Sequence, residues 1–329
     1  MTTRLSRFAT IPIAIVLGLT AVANSASADT TLVVGKANPE AESIMTVNVG
    51  YDAGLFKKHG LELRIQDFTG GASRIVQALT ENSIDIAIGA GTQMSFVAKG
   101  APMIAVCEST TTLPYFSIGV PWDSPIRTVD ELKGKKIGVS NPGTLTDWVA
   151  MELARKKGWG PDGVTRVAVG GGIAASTAAF RTHQIDAYVG GTASFLVEAE
   201  RHVGRFLVPV SDFVDNIASG TLYASNRLIE TNPDALRSFL AAWIESTKFV
   251  LANKQATIES WMKVTGFPEG IEAKLYDIVK GMYNPTCRFD SQSLATLRRS
   301  FVELKALPSA PDMSKLYTES YLPQTSAAP

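Results

Sequence analysis

Apolar positions along this chain follow two periods in alternation. Short apolar runs at Thr31–Gly35, Met103–Val106 and Gly220–Ala224 read as strands. Helical stretches separate them, the pattern of an α/β protein built on mainly parallel sheets. Asn232-Pro233 sets a capping residue before a proline at a first helical position and opens a long helix through Leu251. Leu236, Phe239, Leu240 and Trp243 recur there at helical spacing and are expected to face the core.

The pattern also repeats. Gly70-Gly71-Ala72-Ser73, Ala78-Leu79 and Ile84-Asp85-Ile86-Ala87-Ile88-Gly89 match Gly171-Gly172-Ile173-Ala174, Ala179-Phe180 and Ile185-Asp186-Ala187-Tyr188-Val189-Gly190, 101 residues later and without a gap. Upstream, Val34-Gly35-Lys36-Ala37-Asn38-Pro39 resembles Ile137-Gly138-Val139-Ser140-Asn141-Pro142 at an offset of 103. Each copy predicts a Gly-Gly turn, a helix, then Ile-Asp and a strand ending in glycine. Two similar lobes follow from an internal repeat of this kind.

Each copy offers three strand-to-helix turns in the same order. They are Asn38-Pro39-Glu40, Gly70–Ser73 and Gly89–Thr92 in the first, and Ser140–Thr144, Gly170–Gly172 and Gly190–Thr192 in the second. In an open parallel sheet such turns gather at the carboxyl edge, where ligands bind, and glycine there lets backbone N–H groups approach them. Thr144 with Asp147, and Thr128 with Glu131, have capping-box spacing; Thr92 and Thr192 stand at expected N-caps. Residues 109–117 and 208–216 are the expected hinge segments. Lobe 1 would then comprise 29–112 and 217–329, and lobe 2 residues 117–208.

Composition narrows the compartment and the chemistry. Arg4 and Arg7, the apolar stretch Ile11–Val22 and Ala26-Ser27-Ala28 form a signal-peptide pattern, with cleavage expected after Ala28 and a periplasmic mature chain. The full sequence carries 31 basic and 31 acidic residues; without Arg4 and Arg7 the balance is 29 to 31, a net charge of −2. No basic run suits nucleic acid, and no later apolar segment suits stable membrane insertion. Cys107 and Cys287 could pair, or could be two small buried apolar side chains. His59, His183 and His202 show no metal-ligand spacing, and no phosphate-binding lysine loop, dinucleotide glycine pattern or Gly-x-Ser-x-Gly turn occurs. A binding protein without cofactor or metal is expected, not an enzyme.

Gly54-Leu-Phe-Lys-Lys-His-Gly-Leu61, Ala78-Leu-Thr-Glu-Asn-Ser-Ile-Asp-Ile-Ala87, Thr128-Val-Asp-Glu-Leu-Lys-Gly-Lys-Lys-Ile-Gly138 and Gln184-Ile-Asp-Ala187 appear in that order. As a set they resemble the sulfonate, nitrate, taurine and thiamine-precursor group of periplasmic substrate-binding proteins, the SsuA-like and NMT1/THI5-like receptors of ABC importers. The resemblance implies a two-lobed type II periplasmic-binding-protein fold, each lobe a mainly parallel sheet flanked by helices, joined by two crossover segments. It implies a monomer that closes on a small molecule and delivers it to a permease with its ATPase. The expected ligand is a small anionic or polar organic molecule; a pyrimidine precursor of thiamine, or presentation to a chemoreceptor or kinase, are the alternatives. Candidate contacts are Asn38, Glu40, Gly71, Ala72, Ser73, Gly91, Thr92, Thr111, Asn141, Gly143, Thr144, Gly172, Gly191 and Thr192, with Trp148 as the aromatic contact. Arg74 is the arginine beside a candidate loop; Tyr115, Glu40 and Glu108 join Trp148 as groups suited to a pyrimidine.

Overall fold

A computed structural model describes Met1 and residues 30–37, 40–68 and 72–324. The expected signal peptide, its cleavage point, Asn38 and Gly71 lie outside these residues. The first run of elements is β1 (Thr30–Lys36), α1 (Thr46–Asp52), α2 (Leu55–Lys58), β2 (Leu61–Asp67), α3 (Ala72–Thr80), β3 (Ile86–Gly89), α4 (Met94–Ala98) and β4 (Met103–Thr110). The second is β5 (Phe116–Pro121), β6 (Lys136–Val139), α5 (Leu145–Lys156), β7 (Thr165–Ala168), α6 (Ile173–Arg181), β8 (Ala187–Gly191), α7 (Thr192–Glu200) and β9 (Gly204–Pro209). The chain then makes β10 (Gly220–Ser225), α8 (Asn226–Thr231), α9 (Pro233–Ala252), α10 (Lys254–Thr265), α11 (Glu269–Val279) and α12 (Ser291–Glu303).

The strands form two sheets of identical plan, β2-β1-β3-β10-β4 and β7-β6-β8-β5-β9. The repeat read from the sequence is the cause of that identity. Helices α3 and α6 begin and end 101 residues apart. In the first copy Asp85 accepts the Val33 N–H at 2.8 Å and donates its own N–H to the Val33 carbonyl at 2.8 Å. In the second, Asp186 does the same with Lys136, also at 2.8 Å both ways. The preceding isoleucine needs a glycine opposite: a Cβ on Gly35 would lie 2.7 Å from Ile84 Cδ1, and one on Gly138 2.6 Å from Ile185 Cδ1. One Ile-Asp pair thus sets the spacing of two neighbouring parallel strands in each copy.

Strand directions settle where the loops lie. β1 runs parallel to β2 and β3, and β6 parallel to β7 and β8. β10 is antiparallel to both its neighbours, as is β5. The chain therefore leaves the first sheet at the carboxyl end of β4 and enters the second at that sheet's carboxyl edge. It returns from the end of β9 to the start of β10. Both crossovers join carboxyl edge to carboxyl edge, so the two edges face one gap. The crossovers pair with each other: Ile217 donates its N–H to the Thr111 carbonyl at 2.9 Å and Ser219 donates to Thr110 at 3.1 Å.

A fully buried Leu236, Phe239, Leu240 and Trp243 row joins α9 to the outer face of the first sheet, as the periodicity predicts. Another apolar cluster runs from Met45, Ile75 and Met94 through Leu113, Tyr115 and Ile217 of the crossovers to Ile137 and Val149. Cys107 and Cys287 form a disulfide across 180 residues, with no free cysteine. Of the two alternatives left open by the sequence, pairing is the outcome: the β4 strand and the segment before α12 run side by side, Glu108 donating its N–H to the Cys287 carbonyl at 3.0 Å. The Glu108 carboxylate accepts the Asp290 N–H at 2.8 Å, at the cap of α12. Glu108 is therefore committed to structure rather than open to a ligand. No helix among the described residues is long and apolar enough to cross a membrane.

Asp186→Ala should lower stability by about 0.5–1.5 kcal/mol in urea unfolding, because the brace between the two strands loses the hydrogen bond from the Lys136 N–H. Burial pushes the Glu108 carboxyl up from 4.5 to about 7. The unfolded chain then releases that proton at a lower pH than the folded chain. Stability should consequently fall as pH rises from about 4.5 to about 7, and Glu108→Gln should remove that part of the slope in thermal melts across this range.

Candidate functional site

The carboxyl-edge loops are built from small and hydroxyl residues because helices begin there. In the second sheet, Ser140, Thr144 and Thr146 gather at the start of α5: Ser140 Oγ lies 3.1 Å from Thr144 Oγ1 and 2.7 Å from Thr146 Oγ1. Thr144 occupies the N-cap position of α5, yet its hydroxyl donates to the Asn141 carbonyl at 2.6 Å instead of capping. Asp147 accepts from the Gly143 N–H at 2.8 Å and pairs with Arg166 at 2.6 Å, so the expected capping box at this helix is replaced by a loop clasp. The box expected at Thr128 and Glu131 does form, with Glu131 accepting the Thr128 N–H at 2.8 Å.

The loop after β7 closes on the same place. Gly170 donates its N–H to the Ser140 carbonyl at 3.1 Å, and a Cβ on Gly171 would stand 3.7 Å from Ser140 Cβ. Gly172, at φ 85°, is the N-cap of α6 and is exposed with open space around it. Asn141 and Gly143 are also exposed, and Thr144 is half-buried. The structure therefore brings Asn141, Gly143, Thr144 and Gly172 together on one rim. A cavity of about 350 Å³ opens beside it, lined by Val139, Pro142, Asp147 and Arg166 among others.

Several expected contacts turn out to be committed elsewhere. Gly91 donates its N–H to the Ala218 carbonyl at 3.0 Å, and a Cβ there would sit 2.2 Å from that oxygen; the glycine lets β3's loop touch the returning crossover. Thr192 is not an N-cap but the first residue of α7, fully buried, donating its N–H to Tyr115 at 2.8 Å. Its hydroxyl lies 2.6 Å from Ser117 Oγ and donates to the Pro114 carbonyl at 3.0 Å. Gly191 takes the cap position. Thr92, half-buried in a short 3₁₀ turn, is likewise not the cap, which is Ala90. The Thr111 backbone is used at both ends, accepting from Ile217 and donating to Met282 at 3.2 Å. Trp148 is the main correction. Its indole is fully buried and donates Nε1–H to Glu303 of α12 at 2.7 Å, because its face of α5 meets another helix instead of the loop.

On the first sheet, Glu40 and Ser73 are exposed, Ala72 opens α3, and Arg74 is exposed in its first turn. Lys36, at the carboxyl end of β1, is buried, but Asn48 at 3.0 Å and Asp67 at 3.1 Å already hold it. The residue that sequence reasoning passed over is Glu42. Only 5% exposed, it sits in the loop after β1, and burial, aided by Glu272 and Glu40, pushes its carboxyl up to about 8. The opposing influence is a backbone hydrogen bond of its own; among the described residues no base neutralises it. Tyr115 stands nearby in the crossover, its hydroxyl reaching the Ser219 carbonyl at 3.4 Å and pushed up to about 12 by burial. Nothing in the spacing of Glu40-Ala-Glu42 distinguishes the exposed acid from the enclosed one.

Comparison with known proteins places this geometry. A Brucella abortus protein named as a candidate binding protein is 30% identical over 215 residues, which span 64% of this chain and 64% of that relative, just under two thirds. The 4-amino-5-hydroxymethyl-2-methylpyrimidine phosphate synthase THI5 of Saccharomyces cerevisiae is 26% identical over 82% of this chain and 81% of its own. Among solved structures, the periplasmic aliphatic sulphonate binding protein SsuA of Escherichia coli superposes with a TM-score of 0.72 at 19% identity, over 91% of this chain and 94% of that one. The fold is thus that of the two-lobed periplasmic binding proteins. The family model described as NMT1/THI5 like matches residues 42–257, more than half of the sequence, and this chain belongs to the NMT1/THI5-like family.

Proposed function

We propose that this chain is the solute-binding receptor of an ABC importer, exported to the periplasm as a monomer, and that it binds its ligand without transforming it. The observation that carries the reading is the pair of carboxyl edges facing one gap across two hydrogen-bonded crossovers. Lobe 1 is taken as 29–112 with 217–329 and lobe 2 as 117–208, so that both contribute loops to one ligand. Binding at such edges is the usual property of open α/β sheets. The candidate rim Asn141, Gly143, Thr144 and Gly172 supplies hydroxyl and backbone N–H groups to a small polar organic molecule. Glu40, Ser73 and the loops on the first sheet face it.

Magnitudes decide what the ligand must bring. A helix N-terminus contributes roughly 0.3–1 kcal/mol to holding an anion, whereas micromolar affinity takes about 8 kcal/mol. Helix ends alone fall short, and with Trp148 enclosed the remainder must come from hydrogen bonds to the rim's hydroxyl and backbone N–H groups. An anionic, sulfonate-like ligand suits the hydroxyl rim. Glu42 favours a second ligand class, an N–H donor such as an aminopyrimidine, since a carboxyl group beside the crossover accepts such donors.

Native mass spectrometry of gently purified protein, followed by a thermal-shift screen of sulfonates, nitrate and aminopyrimidines, tests the reading. One class should raise the melting temperature, and small-angle scattering should show compaction at saturation. Thr144→Ala should weaken that ligand by about 1 kcal/mol, roughly fivefold. Saturable binding with no compaction, or with no effect of changes on either rim, would overturn it.

A further inference from the structure

Glu42 stands among groups that deny its carboxyl a counter-charge. After β1 the chain makes a tight turn, Ile44 and Met45 both donating N–H to the Ala41 carbonyl, at 2.8 and 3.0 Å. Ser43 in that turn packs on the returning chain: a Cβ on Gly220 would lie 3.4 Å from Ser43 Cβ. The Tyr283 hydroxyl donates to the Glu42 main-chain carbonyl at 2.9 Å, not to its side chain, and the Tyr115 hydroxyl is directed to Ser219. From α11 comes Glu272, fully buried. Its Oε1 accepts the Thr265 hydroxyl at 2.5 Å, and its Oε2 has no hydrogen-bond partner among the described residues. Lys36, the buried base at the same sheet edge, is already held by Asp67 and Asn48.

The titratable groups facing Glu42 are therefore Glu40 from its own loop, Glu272 from α11, Tyr115 from the crossover and Tyr283 from the segment before α12. They are acids and phenols, with no base among them. An enclosed charge without a counter-charge is costly, and like charges beside it add to the cost. Burial accordingly pushes the Glu42 carboxyl up to about 8 and the Glu272 carboxyl in the same direction. Glu42 keeps 5% of its surface exposed and Glu272 none, so Glu42 is the one of the two that a ligand can reach. A neutral carboxyl group differs in kind from a carboxylate: one oxygen donates a hydrogen bond while the other accepts.

We propose that Glu42 meets the ligand as the neutral acid, its O–H donating to a ring nitrogen or carbonyl oxygen while its other oxygen accepts an adjacent N–H. The ligand then presents an acceptor beside a donor on one uncharged edge, as aminopyrimidines and primary amides do. This rests on the receptor reading and deepens its second ligand class, adding a donated bond to the accepted one and requiring no positive charge on the ligand. Ionisation would set a carboxylate against the acceptor's lone pair and lose one of the two bonds. The neutral form is complete well below about pH 8 and is lost above it. Affinity should therefore be level on the acid side and fall by up to about tenfold per pH unit on the other.

The probe is 4-aminopyrimidine, uncharged above neutrality, with its affinity for the full mature chain measured by calorimetry from about pH 7 to about pH 9.5. Glu42→Ala should weaken binding by about tenfold or more. Glu42→Gln, whose amide again sets a donor beside an acceptor, should recover most of that loss and show no fall above about pH 8. Glu108, which also titrates near neutrality, is common to all three proteins and cancels in the comparison. A readout free of ligand is the infrared difference spectrum between the unsubstituted protein and Glu42→Gln at about pH 7. A protonated-carboxyl band lost in the variant is expected; a carboxylate band in its place overturns the proposal. Affinity that rises with pH, with Glu42→Gln as weak as Glu42→Ala, overturns it as well, and so does a flat profile in the unsubstituted protein. Absence of 4-aminopyrimidine binding also refutes it. In that case a sulfonate or nitrate that binds with compaction leaves the receptor reading standing, whereas failure of every class removes both.

Discussion

The pairing of the two crossovers constrains the rest of this structure. Ile217 and Ser219 donate to Thr111 and Thr110 at the point where the chain leaves one sheet and re-enters it, and the antiparallel strands β5 and β10 start at the carboxyl edges. With those strands fixed, the parallel strands beside them can only present their helix-bearing loops to the shared gap. Each loop inherits unpaired N–H groups from the helix it opens. What fills the gap is decided by which of those groups remain free. Gly91 and Thr192 have given theirs to the crossovers and Thr111 has given its own to Met282, while the rim from Asn141 to Thr144, with Gly172, has kept its exposure.

Charge is distributed in the same economical way around that gap. Lys36 is answered by Asp67 and Asn48, and Arg166 by Asp147, so two bases near the edges are locally neutralised. Glu42 is enclosed without such an answer among the described residues, and the upward push of burial on its carboxyl pKa is the physical trace of that imbalance. A receptor for a simple anion would more naturally enclose a base than an acid.

Much of the fold was legible because its causes are local and repeat. The 101-residue offset maps directly onto α3 and α6, and the recurring Ile-Asp maps onto two identical strand braces with a glycine opposite each isoleucine. Asn232 caps α9 as expected, accepting the Ala235 N–H at 3.1 Å, because an N-cap depends only on residues three apart. The site was less legible. Whether Thr192 caps a helix or braces a crossover depends on Tyr115 and Ser117, far away in sequence. Trp148 has the spacing of a loop-facing aromatic, but its partners lie some 150 residues on, at Arg299 and Glu303. The same separation hid the Cys107–Cys287 pairing, which only the return of the C-terminal segment beside β4 brings about.

The claim that both sheets present one site to one ligand can be tested most directly by hydrogen exchange on the mature chain, with and without a saturating ligand. The account predicts that backbone protection will rise together at 40–45 and 90–93 on the first sheet and at 140–144 and 172–174 on the second. Protection confined to one sheet, or spread over the outer faces while these loops stay unchanged, would contradict it.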